Sequence, residues 1–285
     1  MSILPRLALA LLLLPGCIEP GAAGLAWLAP EAGGTPAQAP PADPGGEEGP
    51  PEAVVGTFDL SVAARIVGDS PGDHAGWSLA AAGDLDGDGV GDLIVGSYED
   101  AEAGPMAGAV WVFSGPALGS LDPDAATAKI LGESPGDLAG WAVAGAGDVD
   151  GDGFDDLVIG AHGAGGGSGA AYLLRGPLAG RISLADAEAI LTGPGLSDAA
   201  GISVAGLGDV DGDGYDDFVV GAYGDDGGGE DAGAAWVIHG PVSGRNTLAE
   251  VGVRFGGASP GDWAGQRVAP AGDLDGDGLA DLLVS

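Results

Sequence analysis

A nine-residue acidic segment occurs four times in this sequence, and its side chains are of the type that holds hard cations. Each copy has Asp at positions 1, 3, 5 and 9 and Gly at positions 4 and 6. Carboxylates this close together repel one another unless a cation lies among them. The pattern therefore predicts four cation sites. Their residues are Asp84, Asp86, Asp88 and Asp92; Asp148, Asp150, Asp152 and Asp156; Asp209, Asp211, Asp213 and Asp217; and Asp273, Asp275, Asp277 and Asp281.

The residue types of these loops also indicate which ion they hold. All-oxygen ligation without His or Cys selects a hard cation, and flexible loops with several carboxylates favour Ca²⁺ over Mg²⁺. We therefore predict about four Ca²⁺ ions, one for each loop. Position 7 is expected to add a backbone carbonyl that the Gly at position 6 turns inward. These carbonyls belong to Val90, Phe154, Tyr215 and Leu279.

The acidic loops could also be EF-hand loops or turns without a metal. The first half of each loop matches an EF-hand, which also needs a bidentate Glu at position 12 and flanking helices. Position 12 is instead an apolar residue inside a strand-like run, at Val95, Ile159, Val220 and Val284. The EF-hand interpretation therefore fails. The remaining alternative is that the loops are acidic turns that join strands without a metal.

The segments around the loops predict an all-β protein. The loops begin 64, 61 and 64 residues apart, and each is flanked by apolar runs of four to seven residues bounded by Gly, Pro or Asp. Such runs are typical of short strands, and none has helical periodicity. Four antiparallel strands in a unit of about 60 residues fit a β-propeller blade; a β-solenoid is the alternative. The units run from about 63–131, 132–192, 193–256 and 257–285, which makes three full blades and part of a fourth.

With these motifs the units resemble FG-GAP repeats, the blades of the integrin α-chain propeller, which also occur in bacterial exported proteins. The resemblance covers residues 63–285. It implies a closed ring of seven blades, of which this chain would be a fragment, with calcium loops on one rim that brace the blades. The family's Phe-Gly is replaced by "AGW", "AGI" and "AGQ", and its Gly-Ala-Pro by "GSY", "GAH" and "GAY". These departures weaken any expectation of integrin-like ligand binding.

The N-terminal region is typical of an exported protein. Residues 1–16 have one positive side chain, a short apolar run and small residues before Cys17, as in a secretory signal peptide. The segment resembles a bacterial lipoprotein signal, which implies lipidation of Cys17; a free thiol beside an ordinary cleavage site is the alternative. Residues 17–56 are rich in Pro, Ala and Gly and predict a disordered tether ahead of the repeats at 57–285. We expect an outer-membrane or cell-surface lipoprotein, or a secreted protein.

Charge and motif content exclude several classes of function. The formal net charge of −35 repels nucleic acid and anionic membranes, so that a lipid at Cys17 would be the chain's only link to a membrane. The three histidines, His74, His162 and His239, are scattered, and no catalytic or phosphate-binding motif occurs. Four nearly identical sites also argue against catalysis, so we expect no enzyme activity.

The prediction that remains is a surface-exposed binding or adhesion module whose ligand is a protein or a glycan. Its candidate contact surface is the variable stretch of each full unit, at 98–106, 163–168 and 224–231. Trp77 and Trp141 could contact sugars, although packing between blades is the preferred interpretation. The alternatives are an accessory domain of an exported enzyme whose catalytic part is outside this chain, and a structural envelope or matrix protein.

Overall fold

The computed structural model describes residues 65–116, 120–274 and 279–285. The predicted signal peptide (1–16), Cys17, the tether (17–56) and residues 57–64 lie outside the described residues, as do Asp275 and Asp277 of the fourth loop. In the described part, helix is limited to single turns, among them α1 (Ala164–Gly167) and α2 (Leu248–Val251). None of these helices is long and apolar enough to cross a membrane.

The described residues form short strands arranged in successive sheets. In chain order these are β1 (Arg65–Ile66), β2 (Ser78–Gly83), β3 (Asp92–Ser97), β4 (Ala109–Phe113), β5 (Ser120–Leu121), β6 (Ala128–Leu131), β7 (Ala142–Gly147), β8 (Asp156–Ala161), β9 (Ala170–Leu174), β10 (Gly180–Ser183), β11 (Ala189–Thr192), β12 (Ser203–Gly208), β13 (Asp217–Ala222), β14 (Ala234–Ile238), β15 (Gly244–Thr247), β16 (Gly252–Gly256), β17 (Val268–Gly272) and β18 (Asp281–Val284). The antiparallel units are β2-β3-β4-β6, β7-β8-β9-β11 and β12-β13-β14-β16, followed by the pair β17-β18. This arrangement confirms the prediction of three full four-stranded blades and part of a fourth.

Three parallel strands that the sequence did not predict pair with strands of the preceding sheets. Strand β10 pairs with β6 of the first blade, and β15 pairs with β11 of the second. Strand β5 pairs in the same way with β1, the strand that precedes the first blade. These parallel strands cover the outer edge of the preceding sheet, and a covered edge has no free backbone groups with which to pair with another chain.

The core lies between the faces of neighbouring blades. The second and third strands of the three full blades are buried along their whole length because both faces of each sheet are covered. One apolar cluster joins Ile94 of the first blade to Ile159 of the second, and the next joins Val158 of the second to Phe218 of the third. The inner strands β2, β7, β12 and β17 pack side by side in that order. Stacked blades with adjacent inner strands are the architecture of a propeller.

This architecture places the acidic loops together. Each loop joins the innermost strand of a blade to the next strand: β2 to β3, β7 to β8, β12 to β13 and β17 to β18. Because the inner strands lie side by side, the loops follow one another along a single rim. The variable stretches after β3, β8 and β13 lie at the opposite ends of the same strands.

Candidate metal centre

Each acidic loop is folded by hydrogen bonds from its own backbone. In the first loop, Asp84 accepts from the N–H groups of Asp88 and Gly89 at 3.0 and 2.8 Å. Asp86 also accepts from Asp88, and Asp88 accepts from Val90. Equivalent bonds form in the second and third loops. The aspartates therefore shape the turn as well as supplying carboxylate oxygens.

The Asp at position 9 is the most buried carboxylate of each full loop. Asp92 is 4% exposed, and Asp156 and Asp217 are fully buried. One oxygen of each accepts from the residue at position 2 of its loop, at 2.8, 3.0 and 2.9 Å. The other oxygen accepts from the Gly of a Gly-Pro turn that follows the third strand of the blade, at 2.9, 3.1 and 3.0 Å.

Burial makes the charge on these carboxylates costly. It raises the pKa of Asp156 to about 7, against two backbone hydrogen bonds that lower it, and nearby Asp150 and Asp152 raise it further. Burial also raises the pKa of Asp92, with Asp86 and Asp84 adding to the effect. A bound cation would relieve both the desolvation and the repulsion.

The loops bring part of each predicted ligand set together. Carboxylate oxygens of positions 1, 3 and 9 lie within 4.8 Å of one another in the first two loops. In the third loop the same holds for positions 1, 3 and 5. Three predicted ligands lie outside the convergent groups of their loops: Asp88, Asp152 and Asp217. Converging, partly buried oxygen donors fit a hard divalent cation. The convergent groups are Asp84, Asp86 and Asp92; Asp148, Asp150 and Asp156; and Asp209, Asp211 and Asp213.

Two parts of the predicted sites stay predictions. In the fourth loop, Asp273, Leu279 and Asp281 are described, and Asp281 accepts from the N–H of Leu274 at 2.7 Å, as in the other loops. Its other two aspartates lie outside the described residues. The ligand role of the position-7 carbonyls is also untested, because the contacts observed at position 7 come from the backbone N–H and the side chain.

An aspartate at position 8 links the second loop to the first and the third loop to the second, whereas the fourth loop has Ala280 at this position. The residue spacing did not identify this aspartate as part of the site. Asp155 accepts from the N–H of Asp84 at 2.6 Å, and Asp216 accepts from the N–H of Asp148 at 2.9 Å. A Cβ on Gly83 would overlap the Asp155 carboxylate, so this approach requires glycine there. Position 8 is Gly91 in the first loop and therefore lacks the acceptor.

The aromatic side chains at position 7 join the loops in a second way. The ring of Phe154 lies against Gly87 of the preceding loop, and the ring of Tyr215 lies against Gly151. A Cβ at either glycine would come closer to the ring than carbon atoms normally approach. The glycine at position 4 thus provides space for the next blade.

The residue before each Gly-Pro turn also lies beside a loop, and it differs from blade to blade: Ser114, Arg175 and His239. Arg175 places Nε 2.6 Å from Asp150 Oδ2. His239 places Nδ1 3.2 Å from Asp211 Oδ2. The sequence predicts ligation by oxygen alone, so the nitrogen atoms of Arg175 and His239 beside the loops are a finding of the structure.

The opposite rim carries an aromatic cluster. The rings of Trp77 and Trp141 are 4.8 Å apart across the boundary between the first two blades, and Tyr98 and His162 extend the row. These contacts agree with packing between blades. Trp77 nevertheless remains 48% exposed.

In two of the blades, a positively charged side chain pairs with a buried Asp of the variable stretch after the second strand. Lys129 pairs with Asp100 in the first blade, and Arg254 pairs with Asp225 in the third. In the second blade the equivalent positions hold Ile190 and Ala164, so both members of the pair are replaced by apolar residues.

Comparison with known proteins agrees with the blade pattern. A family model described as the FG-GAP repeat matches residues 75–113, 139–174 and 200–238, each of which runs from the inner strand of a blade to its third strand. Integrin alpha-PS2 of Drosophila melanogaster is 32% identical over 186 residues, which cover 61% of this chain and 13% of that protein. Integrin alpha-3 of Cricetulus griseus is 34% identical over 173 residues, which cover 59% of this chain and 16% of that protein.

Integrin alpha pat-2 of Caenorhabditis briggsae is 39% identical over 127 residues, which cover 43% of this chain and 10% of that protein. The matched region is therefore a small part of each of these three relatives. The three matched repeats lie in the three full blades and include their acidic loops. The chain contains three FG-GAP repeats, and its propeller blades are similar to those of integrin α chains.

Proposed function

We propose that this chain is a calcium-binding, surface-exposed propeller segment that acts as a binding or adhesion module. The observation that carries the proposal is the rim of repeated acidic loops. In each full loop, carboxylates converge within 4.8 Å and one carboxylate is buried at the start of a strand. Successive loops are joined across the blade boundary by Asp155 and Asp216. A cation in one loop would therefore stabilise two blades.

The chemistry supplied by a bound Ca²⁺ is charge neutralisation among oxygen ligands. In the second loop Asp148, Asp150 and Asp156 would hold it. The backbone of Asp148 is itself fixed by Asp216 of the third blade. Binding would thus oppose separation of β7 from β8 and of the second blade from the third. This is a bracing role, and it leaves the opposite rim available for contact with a partner.

A count of bound calcium tests the metal part of the proposal. Ca²⁺ binding to the full chain would be measured by competition with a chromophoric chelator, for the wild type and for Asp92→Asn and Asp156→Asn. Each variant keeps the shape of the side chain but removes the charge, so each should lose about one site. Asp186→Asn, in a short turn on the outer side of a blade, is the control and should lose none. Absence of Ca²⁺ binding, or equal counts in all four proteins, would contradict the proposal.

Surface exposure is supported by the N-terminal sequence, in which a signal-like segment precedes Cys17. We propose that Cys17 is lipidated and that the tether holds the blades away from the membrane; a secreted form would bind the same ligands. Expression in a bacterial host with labelled palmitate should label the wild type but not Cys17→Ser. Labelling of both proteins, or of neither, would remove the lipid anchor from the proposal.

The adhesion role is supported by the similarity to integrin α chains and by the partly exposed aromatic cluster on the opposite rim. Beads coated with the full chain would be tested on arrays of matrix proteins and glycans, with Ca²⁺ and with chelator. Retention that requires Ca²⁺, and that falls when residues 98–106 are replaced by the shorter 163–168 stretch, supports a binding module. Failure to retain beads on any surface in Ca²⁺ would contradict it.

A further inference from the structure

The third acidic loop differs from the other two full loops in the residue that faces it from the Gly-Pro turn. In each blade, the Gly of this turn donates its N–H to the buried Asp at position 9. The preceding residue therefore lies beside the loop. It is Ser114 in the first blade, Arg175 in the second and His239 in the third. Only the third of these offers a nitrogen atom able to ligate a metal.

The imidazole of His239 is directed at two carboxylates of the third loop. Its Nδ1 lies 3.2 Å from Asp211 Oδ2 and 3.4 Å from Asp217 Oδ2. Nδ1 is itself buried, yet it makes no hydrogen bond to any of the described residues. The three donor atoms lie within 4.8 Å of one another. The imidazole nitrogen is thus held among oxygen atoms without being satisfied by them.

The backbone holds both carboxylates in these orientations. Asp211 Oδ1 accepts from the N–H of Asp213 at 3.1 Å. Asp217 Oδ1 accepts from Gly240 at 3.0 Å, and Asp217 Oδ2 accepts from Val210 at 2.9 Å. Each Oδ2 keeps lone-pair capacity for another partner, because a carboxylate oxygen can accept more than one interaction. The three donors therefore form a fixed set, which is what a metal site requires.

We propose that Asp211, Asp217 and His239 form a mixed nitrogen–oxygen site that takes a borderline divalent ion, Zn²⁺, where the equivalent loop of the first blade takes Ca²⁺. Imidazole suits zinc, whereas calcium prefers oxygen donors. Bonds of about 2.0–2.1 Å in a tetrahedral shell place neighbouring ligand atoms about 3.3–3.4 Å apart. The two observed nitrogen–oxygen distances, 3.2 and 3.4 Å, agree with this separation. Only the contrast with the calcium loops rests on the proposed function.

A plain ion pair between His239 and the loop is the competing explanation. Such a pair would include a hydrogen bond from Nδ1 to a carboxylate, and Nδ1 makes none to any described residue. His74 offers a comparison, because its Nδ1 lies 3.2 Å from Glu99 Oε2 on the opposite rim. Among the described residues, His74 and Glu99 belong to no group of three possible metal ligands. His74 therefore serves as the matched control.

The test is a calorimetric titration of the untagged full chain with Zn²⁺ at pH 7.5, in saturating Ca²⁺. The proteins are the wild type, His239→Ser (the residue of the first blade), His239→Gln and the control His74→Gln. We expect one Zn²⁺ in the wild type and in His74→Gln, and at least a tenfold weaker affinity in both His239 variants. Co²⁺ should give intense visible absorption from low coordination in the wild type, lost in the His239 variants. Thermal unfolding of each variant would verify that it is folded.

The outcomes separate this inference from the proposed function. Equal Zn²⁺ affinity in the wild type and the His239 variants would overturn the zinc site, while Ca²⁺ binding to the same proteins would leave the calcium loops intact. Zinc binding that requires His239 supports the site even if the chain binds no Ca²⁺, in which case the proposed function alone fails. Weakening by His74→Gln equal to that by His239→Ser would also overturn it, because binding would then be generic to surface histidines.

Discussion

Replacing Lys129 by Ile should destabilise the protein strongly, because it leaves a buried carboxylate without its cation. Lys129 is 8% exposed, and its Nζ lies 2.7 Å from Asp100 Oδ2, 2.7 Å from Asp69 Oδ2 and 3.1 Å from Glu102 Oε2. Asp100 is 2% exposed. Although burial opposes it, the hydrogen bonds to Asp100, Asp69 and Glu102 raise the pKa of Lys129 above its usual value. The ammonium is therefore charged at neutral pH.

The size of this expected loss of stability follows from how deeply each carboxylate partner of Lys129 is buried. Removing one member of a buried pair costs about 3–5 kcal/mol, because the other charge stays buried and uncompensated. The partners Asp69 and Glu102 are about a third exposed, so each contributes at most about 1 kcal/mol. We expect Lys129→Ile to lower the free energy of unfolding by about 3–4 kcal/mol.

The second blade shows which second substitution should restore the stability lost in Lys129→Ile. There the equivalent residues are Ile190 and Ala164, and the carbonyl of Ala164 accepts from Gly169 at 2.9 Å. In the first blade the carbonyl of Asp100 makes the matching bond to Gly108, also at 2.9 Å. The double variant Lys129→Ile/Asp100→Ala should therefore be within about 1 kcal/mol of the wild type, because replacing both charges by apolar groups removes the buried charge.

The assay is urea unfolding of the full chain followed by tryptophan fluorescence at constant Ca²⁺. Arg181→Ile is the control: it removes the exposed ion pair with Glu102 and should cost under about 1 kcal/mol. A loss below about 1 kcal/mol for Lys129→Ile would refute the reasoning. So would a double variant no more stable than the single one.

Three further predictions concern the loops and the opposite rim. Asp216→Ala should lower the free energy of unfolding in urea by about 1.5–3 kcal/mol, because the Asp148 N–H loses a charged acceptor. Asp216→Asn keeps an acceptor and should lower it less. Equal losses in the two variants would contradict the link between loops. Arg175→Ser should raise calorimetric Ca²⁺ affinity about two- to fivefold, because it removes a positive charge 2.6 Å from Asp150; an unchanged affinity would contradict this. Burial, the hydrogen bond with Asp69 and nearby carboxylates raise the pKa of Asp73 from 3.8 to about 6. The folded chain therefore holds a proton that the unfolded chain releases, so this stabilisation is complete below about pH 4 and lost as the pH rises to about 6. The melting temperature of Asp73→Asn should fall less than that of the wild type across this range, and parallel curves would show that Asp73 does not titrate there.

The strands and loops could be predicted because their signals are local. Runs such as "LIVGS" and "FVVGA" are short, apolar and bounded by Asp and Gly, and both faces of the resulting strands are covered by neighbouring blades. The aspartate spacing likewise recurs within each loop. The local sequence pattern was therefore enough to predict the blade, the order of its strands and the convergence of most carboxylates.

The parallel strands and the contacts between loops could not be predicted in the same way. Strands β10 and β15 read "GRIS" and "GRNT", which are polar and partly exposed, so they lack the apolar pattern that marks the other strands. Asp155 reaches a residue 71 positions earlier, in another blade. His239 meets its loop only because the third strand returns to the same rim. These features depend on how blades stack, which no local pattern contains.

Thermal unfolding of the full chain in Ca²⁺, in Mg²⁺ and in chelator tests the central claim most directly. Calcium at 100 times its dissociation constant adds about 2.7 kcal/mol for each site. In a domain of this size even one site should raise the midpoint by about 5 °C or more. We predict a rise of at least that size in Ca²⁺ and little change in Mg²⁺. Identical midpoints in Ca²⁺ and in chelator would contradict the account and leave the aspartate loops as turns without a metal.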